Sequence, residues 1–205
     1  KDVLQDAANH RLYVIDNDSG KISVLDYVSR EITHQIFTFA TLGFSSLGTF
    51  NGTEELYVPW NDGWVYIYDA NTLEKTDQIK AGVKCYSVVF NNGKLFVVSD
   101  TSYYNYAVNV FDRAGKNLIT HTGIYEGPEH LALVPGSNTK LFGIGDYHLF
   151  SFEFDAGGHY VSWNDVTYSP NSYSYRAFEA FPNGQGFITS TTGSVYSNSL
   201  ALVQN

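Results

Sequence analysis

The residues of this chain best suited to hold a ligand fall in a few short, irregular stretches. Trp60, Asp62 and Trp64 flank Asn61 and Gly63. Tyr103 and Tyr104 lie in Ser102-Tyr103-Tyr104-Asn105-Tyr106, and Tyr147 lies between Asp146 and His148. The longest such stretch runs from Trp163-Asn164-Asp165 through Tyr173 to Tyr175 and reads as a loop. Aromatic rings mixed with Ser and Asn give flat contact area at low entropic cost and adaptable hydrogen bonds, as in antibody paratopes. The same mix suits sugar rings, which expose CH groups on one side and hydroxyls at the rim. For any single tyrosine, the competing use is packing between sheets.

Ionisable candidates are sparse. Glu129 and Arg176 fall at equivalent points of the repeat described below. They would grip a polar ligand together or, as the preferred reading, form an ion pair between neighbouring repeats. His130, next to Glu129, has the chemistry of a general base, but a lone histidine beside a strand is more commonly a hydrogen-bonded structural residue. Asp16-x-Asp18-x-Gly20 sets oxygen donors at alternate positions, as calcium loops do, without the later bidentate Glu. Calcium is thus the one cofactor the sequence suggests. The 6 histidines form no HxH or HxxxH pair for zinc. The single cysteine, Cys85, allows no intrachain disulfide and no CxxC motif. Neither a GxSxG elbow nor a glycine-rich phosphate loop is present.

The bulk chemistry narrows the partners. A net charge of −9 without a basic block argues against nucleic acid and anionic membrane surfaces. No apolar run approaches the ~18 residues of a membrane span. The chain of 205 residues has no methionine and no signal peptide, and reads as a mature or excised piece of a longer product. Two sequons, at Asn17 and Asn51, matter only in a glycosylating host.

The elements that must position these residues are strands. Tyr, Phe and Val dominate, and aromatics reach 16%. Asp26, Asp69, Asp112 and Asp155 recur every 43 residues, each closing a short apolar run. A second run precedes each: Arg11-Leu12-Tyr13-Val14-Ile15, Glu55-Leu56-Tyr57-Val58, Lys94-Leu95-Phe96-Val97-Val98, Lys140-Leu141-Phe142-Gly143-Ile144 and Gly186-Phe187-Ile188-Thr189. Turn residues such as Asn51-Gly52 and Asn92-Gly93 stand before these runs. Four antiparallel strands per ~40–45 residues make the blade of a β-propeller. The fold class is therefore all-β, a single propeller domain with repeats at about 1–39, 40–81, 82–124, 125–168 and 169–205. The last repeat is degenerate: Asp155 plus 43 falls on Asn198. Five repeats of a larger ring fit the pattern as well as a closed ring of five. The aspartates are expected to cap the turn into each fourth strand through backbone N–H groups.

Leu12-Tyr13-Val14-Ile15-Asp16-Asn17-Asp18-Ser19-Gly20-Lys21-Ile22-Ser23-Val24-Leu25-Asp26 resembles the repeat of YVTN-type propellers. The second repeat keeps the pattern as Leu56-Tyr57-Val58-Pro59-Trp60 followed by Val65-Tyr66-Ile67-Tyr68-Asp69. Asp16 and Trp60 stand where that family has Thr and Asn, so no shared ligand carries over. The resemblance implies a secreted, periplasmic or cell-surface protein, with lactonases among its relatives. Residues and resemblance together favour a non-catalytic extracellular module that binds glycan, peptide or a partner surface, with adhesion or matrix attachment as a natural use. The alternative is a lactonase-like or glycan-cleaving enzyme with carboxylates at the central funnel.

Overall fold

The computed structural model describes residues 2–102, 105–145, 148–167, 178–189 and 193–204. Among them every regular element is a strand. The strands form five antiparallel sheets of four, each in sequence order. Blade 1 comprises β1 (Asp2–Asp6), β2 (Arg11–Asp16), β3 (Lys21–Asp26) and β4 (Glu31–Phe37). Blade 2 comprises β5 (Ser46–Phe50), β6 (Thr53–Pro59), β7 (Trp64–Asp69) and β8 (Lys75–Lys80). Blade 3 comprises β9 (Lys84–Asn91), β10 (Lys94–Ser102), β11 (Asn105–Asp112) and β12 (Leu118–Tyr125). Blade 4 comprises β13 (His130–Leu133), β14 (Lys140–Ile144), β15 (His148–Phe154) and β16 (Tyr160–Thr167). Blade 5 comprises β17 (Phe178–Ala180), β18 (Gly186–Thr189), β19 (Val195–Ser197) and β20 (Leu202–Gln204). The architecture is a five-bladed β-propeller, with the first strand of each blade lining a common axial cavity.

Second strands are mostly apolar because those of blades 2, 3 and 4 are largely covered on both faces. Tyr13 and Ile15 of blade 1 pack with Leu56, Val58 and Tyr68 of blade 2. Tyr57 and Ile67 of blade 2 meet Leu95 and Val97 of blade 3. Phe96 and Val98 meet Leu141 and Phe152 at the next seam, and Phe142 and Ile144 meet Phe187 at the one after. Odd and even positions of one strand thus serve opposite seams, as the two-residue side-chain period requires.

The hairpins follow their turn residues. Asn51-Gly52 and Asn92-Gly93 have positive φ at both positions, 49° and 81° in the first and 47° and 72° in the second. That is the type I′ pattern, which matches the right-handed twist of the flanking strands.

The recurring aspartates cap turns, as expected. Asp26 Oδ1 accepts the N–H groups of Val28 and Ser29 at 2.9 and 2.8 Å. Asp69 Oδ1 accepts those of Asn71 and Thr72 at 2.8 and 3.0 Å. Asp112 takes Gly115 N–H, and Asp155 takes His159 N–H. In blade 5 the cap is Ser197, whose Oγ accepts Ala201 N–H at 3.3 Å. The register pairs Tyr196 with Leu202 as it pairs Phe154 with Tyr160. Ser197 therefore takes the aspartate position, one residue before the Asn198 that a constant period selects. Just before each cap, every blade carries a register shift between its third and fourth strands. Such bulges add twist where the outer strand must follow the rim.

Two effects of these caps are measurable. Asp69→Ala should cost about 1 kcal/mol in urea unfolding, because two N–H groups lose their acceptor. The Asp26 carboxyl is held below the ordinary carboxylate range by the Ser29 and Val28 N–H groups. A lowered folded-state pKa means the cap stabilises above the unfolded-state value and is lost as pH falls through the folded one. An NMR titration of Asp26 should show this low midpoint, and Asp26→Asn should abolish that part of the acid dependence.

The inner strands are also clasped to one another. Ser45 N–H donates to the Asp2 carboxylate at 2.7 Å, Val88 N–H to the Phe44 carbonyl at 2.9 Å, and Leu131 N–H to Ser87 Oγ at 3.0 Å. By register these are the same contact made three times, from blade 1 to 2, 2 to 3 and 3 to 4.

Candidate functional site

Loops joining second to third strands lie at the N-terminal ends of the inner strands, on one face of the ring. On the axis of that face Phe44 stacks on His130 with centroids 3.9 Å apart and planes at 10°. Phe178 lies 4.9 Å beyond His130. This row of rings from blades 2, 4 and 5 crosses the mouth of the axis. The cavity lies on its far side, at about 640 Å³, and runs along the inner strands past Asp2, Ser46 and Glu179 to Phe90 and Leu133. Asp2 is pushed upward by burial, against the lowering pull of Ser45 N–H. Glu129 is buried, and its N–H donates to the Ile144 carbonyl at 2.8 Å. His130 is thus part of an aromatic row; the structure gives it neighbours of packing type on both sides.

The loop face beside this row is richer. In blade 2, Trp60 bridges to Leu42, and its carbonyl accepts Cys85 N–H at 3.1 Å. The Trp60 ring packs on Tyr66 at 4.1 Å. Asp62 accepts Trp64 N–H at 3.1 Å and the Tyr66 hydroxyl at 3.0 Å. The Lys80 ammonium donates to the Asp62 carbonyl at 2.7 Å and sits 5.2 Å from the Trp64 ring centre. Blade 3 repeats the chemistry. The Tyr86 hydroxyl donates to Asp100 Oδ2 at 2.7 Å, with Lys84 4.4 Å over the ring and Tyr106 at 5.3 Å. Burial, then the Asp100 carboxylate, raises the Tyr86 phenol well above its ordinary value. The two loops are tied through the backbone, where Gly82 N–H donates to the Gly63 carbonyl at 3.2 Å, while Trp60 and Tyr66 pack on the seam of blades 1 and 2 and Tyr86 and Tyr106 on that of blades 3 and 4. Gly63 has φ +84°, and a Cβ there would lie 2.1 Å from the Gly82 carbonyl oxygen. The loop geometry therefore depends on glycine.

Blade 4 contributes a different pair to the same face. His148 Nδ1 lies 2.6 Å from Asp165 Oδ2, and Nε2 lies 3.8 Å from Glu126.

The sequence-selected residues divide as follows. Trp60, Asp62 and Trp64 come together on the loop face, with Glu129 and His130 nearer the axis. Trp163 does not join them. It stands on β16, opposite Phe152 in the register, with its ring 6.0 Å from Phe150. The expectation of a loop there is corrected: residues 160–167 complete the outer edge of blade 4 by pairing with β15. Tyr103, Tyr104, Tyr147, Tyr173, Tyr175 and Arg176 lie outside the described residues. Asp16 ends β2 and Asp18 is exposed in the following turn, where Asn17 Nδ2 donates to the Leu42 and Gly43 carbonyls. Among the described residues no group of three or more His, Cys, Asp or Glu side chains is arranged to hold a metal. Cys85 is buried, and burial pushes its thiol up to about 12.

Sequence reading missed Tyr66, Lys80 and Tyr86. Alternation offered one signal, since Trp64 and Tyr66 share a strand face two residues apart. It also missed a buried charge network at the seam of blades 2 and 3. Arg113 donates to both Glu55 oxygens, at 2.9 and 2.7 Å, and to Asp77 at 3.0 Å. Tyr57 donates to Glu55 at 2.5 Å, and Lys116 pairs with Asp77.

No protein-family signature matches the chain, and no curated protein matches it in sequence. Solved structures do match in shape. Hydrazine synthase of Kuenenia stuttgartiensis superposes with TM-score 0.72 at 17% identity, over 98% of this chain and 57% of that one. The WD40 domain of Neurospora crassa Pan2 gives 0.65 at 14%, over 92% and 58%. The dihydro-heme d1 dehydrogenase NirN gives 0.65 at 16%, over 98% and 44%. This chain therefore spans between two fifths and three fifths of their lengths. At these identities the likeness establishes the propeller fold, which binding modules and enzymes share.

Proposed function

We propose that this chain is a non-catalytic extracellular binding module of the YVTN-type propeller family. In this reading it recognises a glycan or a partner protein surface through its loop face. The supporting observation is two separate sets of ring, lysine and aspartate side chains on that face, one around Trp64 in blade 2 and one around Tyr86 in blade 3. The Tyr66 and Tyr86 hydroxyls are hydrogen-bonded to Asp62 and Asp100, and a lysine lies over the Trp64 and Tyr86 rings, before any ligand arrives, which lowers the entropic cost of association. Aromatic side chains in such settings supply most of the energy of an interface. At the seam of blades 2 and 3 the buried Glu55 is neutralised by Arg113, which gives that carboxylate a structural role. The YVTN-like repeats of blades 1 and 2 support placement outside the cytoplasm.

A glycan array and a surface-protein pull-down measured with wild type and Trp64→Ala test the reading. The variant should lose roughly thirtyfold in affinity, about 2 kcal/mol, with unchanged thermal unfolding. The His148–Asp165 contact favours the alternative, a hydrolase. Turnover of a lactone or glycoside that disappears in His148→Ala, without any measurable binding partner, would replace the binding reading with that one.

A further inference from the structure

The two sequons stand at different places in the fold, and their asparagines have different partners. Asn17-Asp18-Ser19 belongs to the loop between β2 and β3, where Asn17 Nδ2 donates to the Leu42 and Gly43 carbonyls at 3.2 and 3.0 Å. Both amide hydrogens are therefore engaged in tying blade 1 to the entry of blade 2. The Asn17 main-chain carbonyl accepts Leu42 N–H at 2.9 Å as well. Asn51-Gly52-Thr53 instead makes the turn between β5 and β6. All three residues are exposed, and Phe50 pairs with Thr53 across the hairpin. None of the described residues hydrogen-bonds the Asn51 side chain. A Cβ at Gly52 would meet no atom within 4 Å, so the space around the tip is open. Asn51 has φ 49°, a conformation that asparagine adopts more readily than most side chains. The turn lies at the C-terminal end of its inner strand, on the ring face opposite Trp64 and Tyr86.

We infer that Asn51 is the acceptor of an N-linked glycan when the chain is exported through a glycosylating pathway, and that Asn17 is not. The donor is a lipid-linked oligosaccharide pyrophosphate. The Asn51 carboxamide nitrogen attacks the anomeric carbon and a C–N bond forms. The C–O bond to pyrophosphate breaks, its electron pair leaves on the lipid pyrophosphate, and one amide proton is released. Thr53 supplies the hydroxyl that the acceptor triplet requires two residues on. The Asn51 side chain gives up no contact within the fold when it is modified. At Asn17 the same step replaces one of two engaged hydrogens and sets a sugar against the entry of blade 2, where a hydrogen bond is lost at a half-buried position. A glycan on Asn51 leaves the rings of the loop face uncovered. The natural setting of this modification rests on the extracellular placement proposed above; the choice between the two asparagines does not.

The test is secretion of the 205-residue chain, with an added leader, from a glycosylating eukaryotic host. Thr53→Ala and Ser19→Ala each remove one sequon. Both keep the asparagines, so the Asn51-Gly52 turn and the Asn17 hydrogen bonds survive. Treatment with peptide N-glycosidase converts a glycosylated asparagine to aspartate, which mass spectrometry of the peptides then locates. The secreted protein should carry one glycan, at Asn51. Thr53→Ala should lose the whole shift in gel mobility, and Ser19→Ala none of it. Occupancy at Asn17 should stay below about a tenth of that at Asn51, because a sugar there breaks a hydrogen bond of the fold. Where secretion is poor, translation into microsomes reads the Asn51 glycan directly, as the one that Thr53→Ala loses. No glycan at Asn51, a shift that survives Thr53→Ala, or equal occupancy of the two asparagines in the secreted protein overturns the inference. Ligand recognition is decided separately, by the Trp64→Ala measurement.

Discussion

Arg113→Ala should lower the unfolding free energy by about 3–5 kcal/mol, the range for breaking a buried ion pair from one side. Glu55 and Arg113 are each only 6% exposed, and the guanidinium binds both carboxylate oxygens. Removing it strands a carboxylate at a seam where water cannot replace two charge-assisted hydrogen bonds. The Phe50 ring, 4.8 Å from the guanidinium carbon, loses its partner as well. The double variant Glu55→Gln, Arg113→Met should recover most of the loss, because it removes both charges and keeps the volume. Urea unfolding of the three proteins decides this. A loss below about 1 kcal/mol in the single variant would mean that the seam is held by its apolar cluster alone.

Phe142→Ala should cost about 3–5 kcal/mol, the range for truncating a fully buried phenylalanine. Its ring lies 4.6 Å from Phe187 across the seam between blades 4 and 5, and almost none of it meets solvent. Ile188→Ala, at the equivalent position one blade on, removes a side chain that is already partly in water. It should cost about 1 kcal/mol or less, because both the transfer and the cavity contributions shrink with exposure. The two measurements should share one m-value, since neither substitution alters how much chain unfolds.

The fold was legible where local physics decides it. Asn-Gly pairs specify their turns by accepting positive φ, aspartates cap by bonding nearby N–H groups, and doubly covered strands must be apolar. The equivalents of Leu12 and Tyr13 could be aligned by eye for that reason. Misreadings arose where tertiary contacts override composition. Ser162-Trp163-Asn164-Asp165 is polar enough to read as a loop, yet its backbone completes an edge strand whose side chains face solvent. The Glu55–Arg113 pair joins residues 58 positions apart and has no counterpart in the repeat, so spacing carried no trace of it. Trp60, Asp62 and Trp64 were found because one loop holds all three. Tyr86 was not, because it reaches the same face from a strand belonging to the next blade.

The clasp between inner strands has a consequence for how such a chain can diverge. At each of the three described clasps the donor is a backbone N–H, on Ser45, Val88 and Leu131, while the acceptor is in turn a carboxylate, a carbonyl and a hydroxyl. The donor asks nothing of its own side chain, and the acceptor accepts three chemistries, one of them supplied by the main chain itself. Substitutions can therefore accumulate at both partners while the spacing of the blades is preserved. A geometry written mainly in peptide groups outlasts the memory of its sequence, which is how a chain can share 17% of its residues with another propeller and still superpose on it at a TM-score of 0.72.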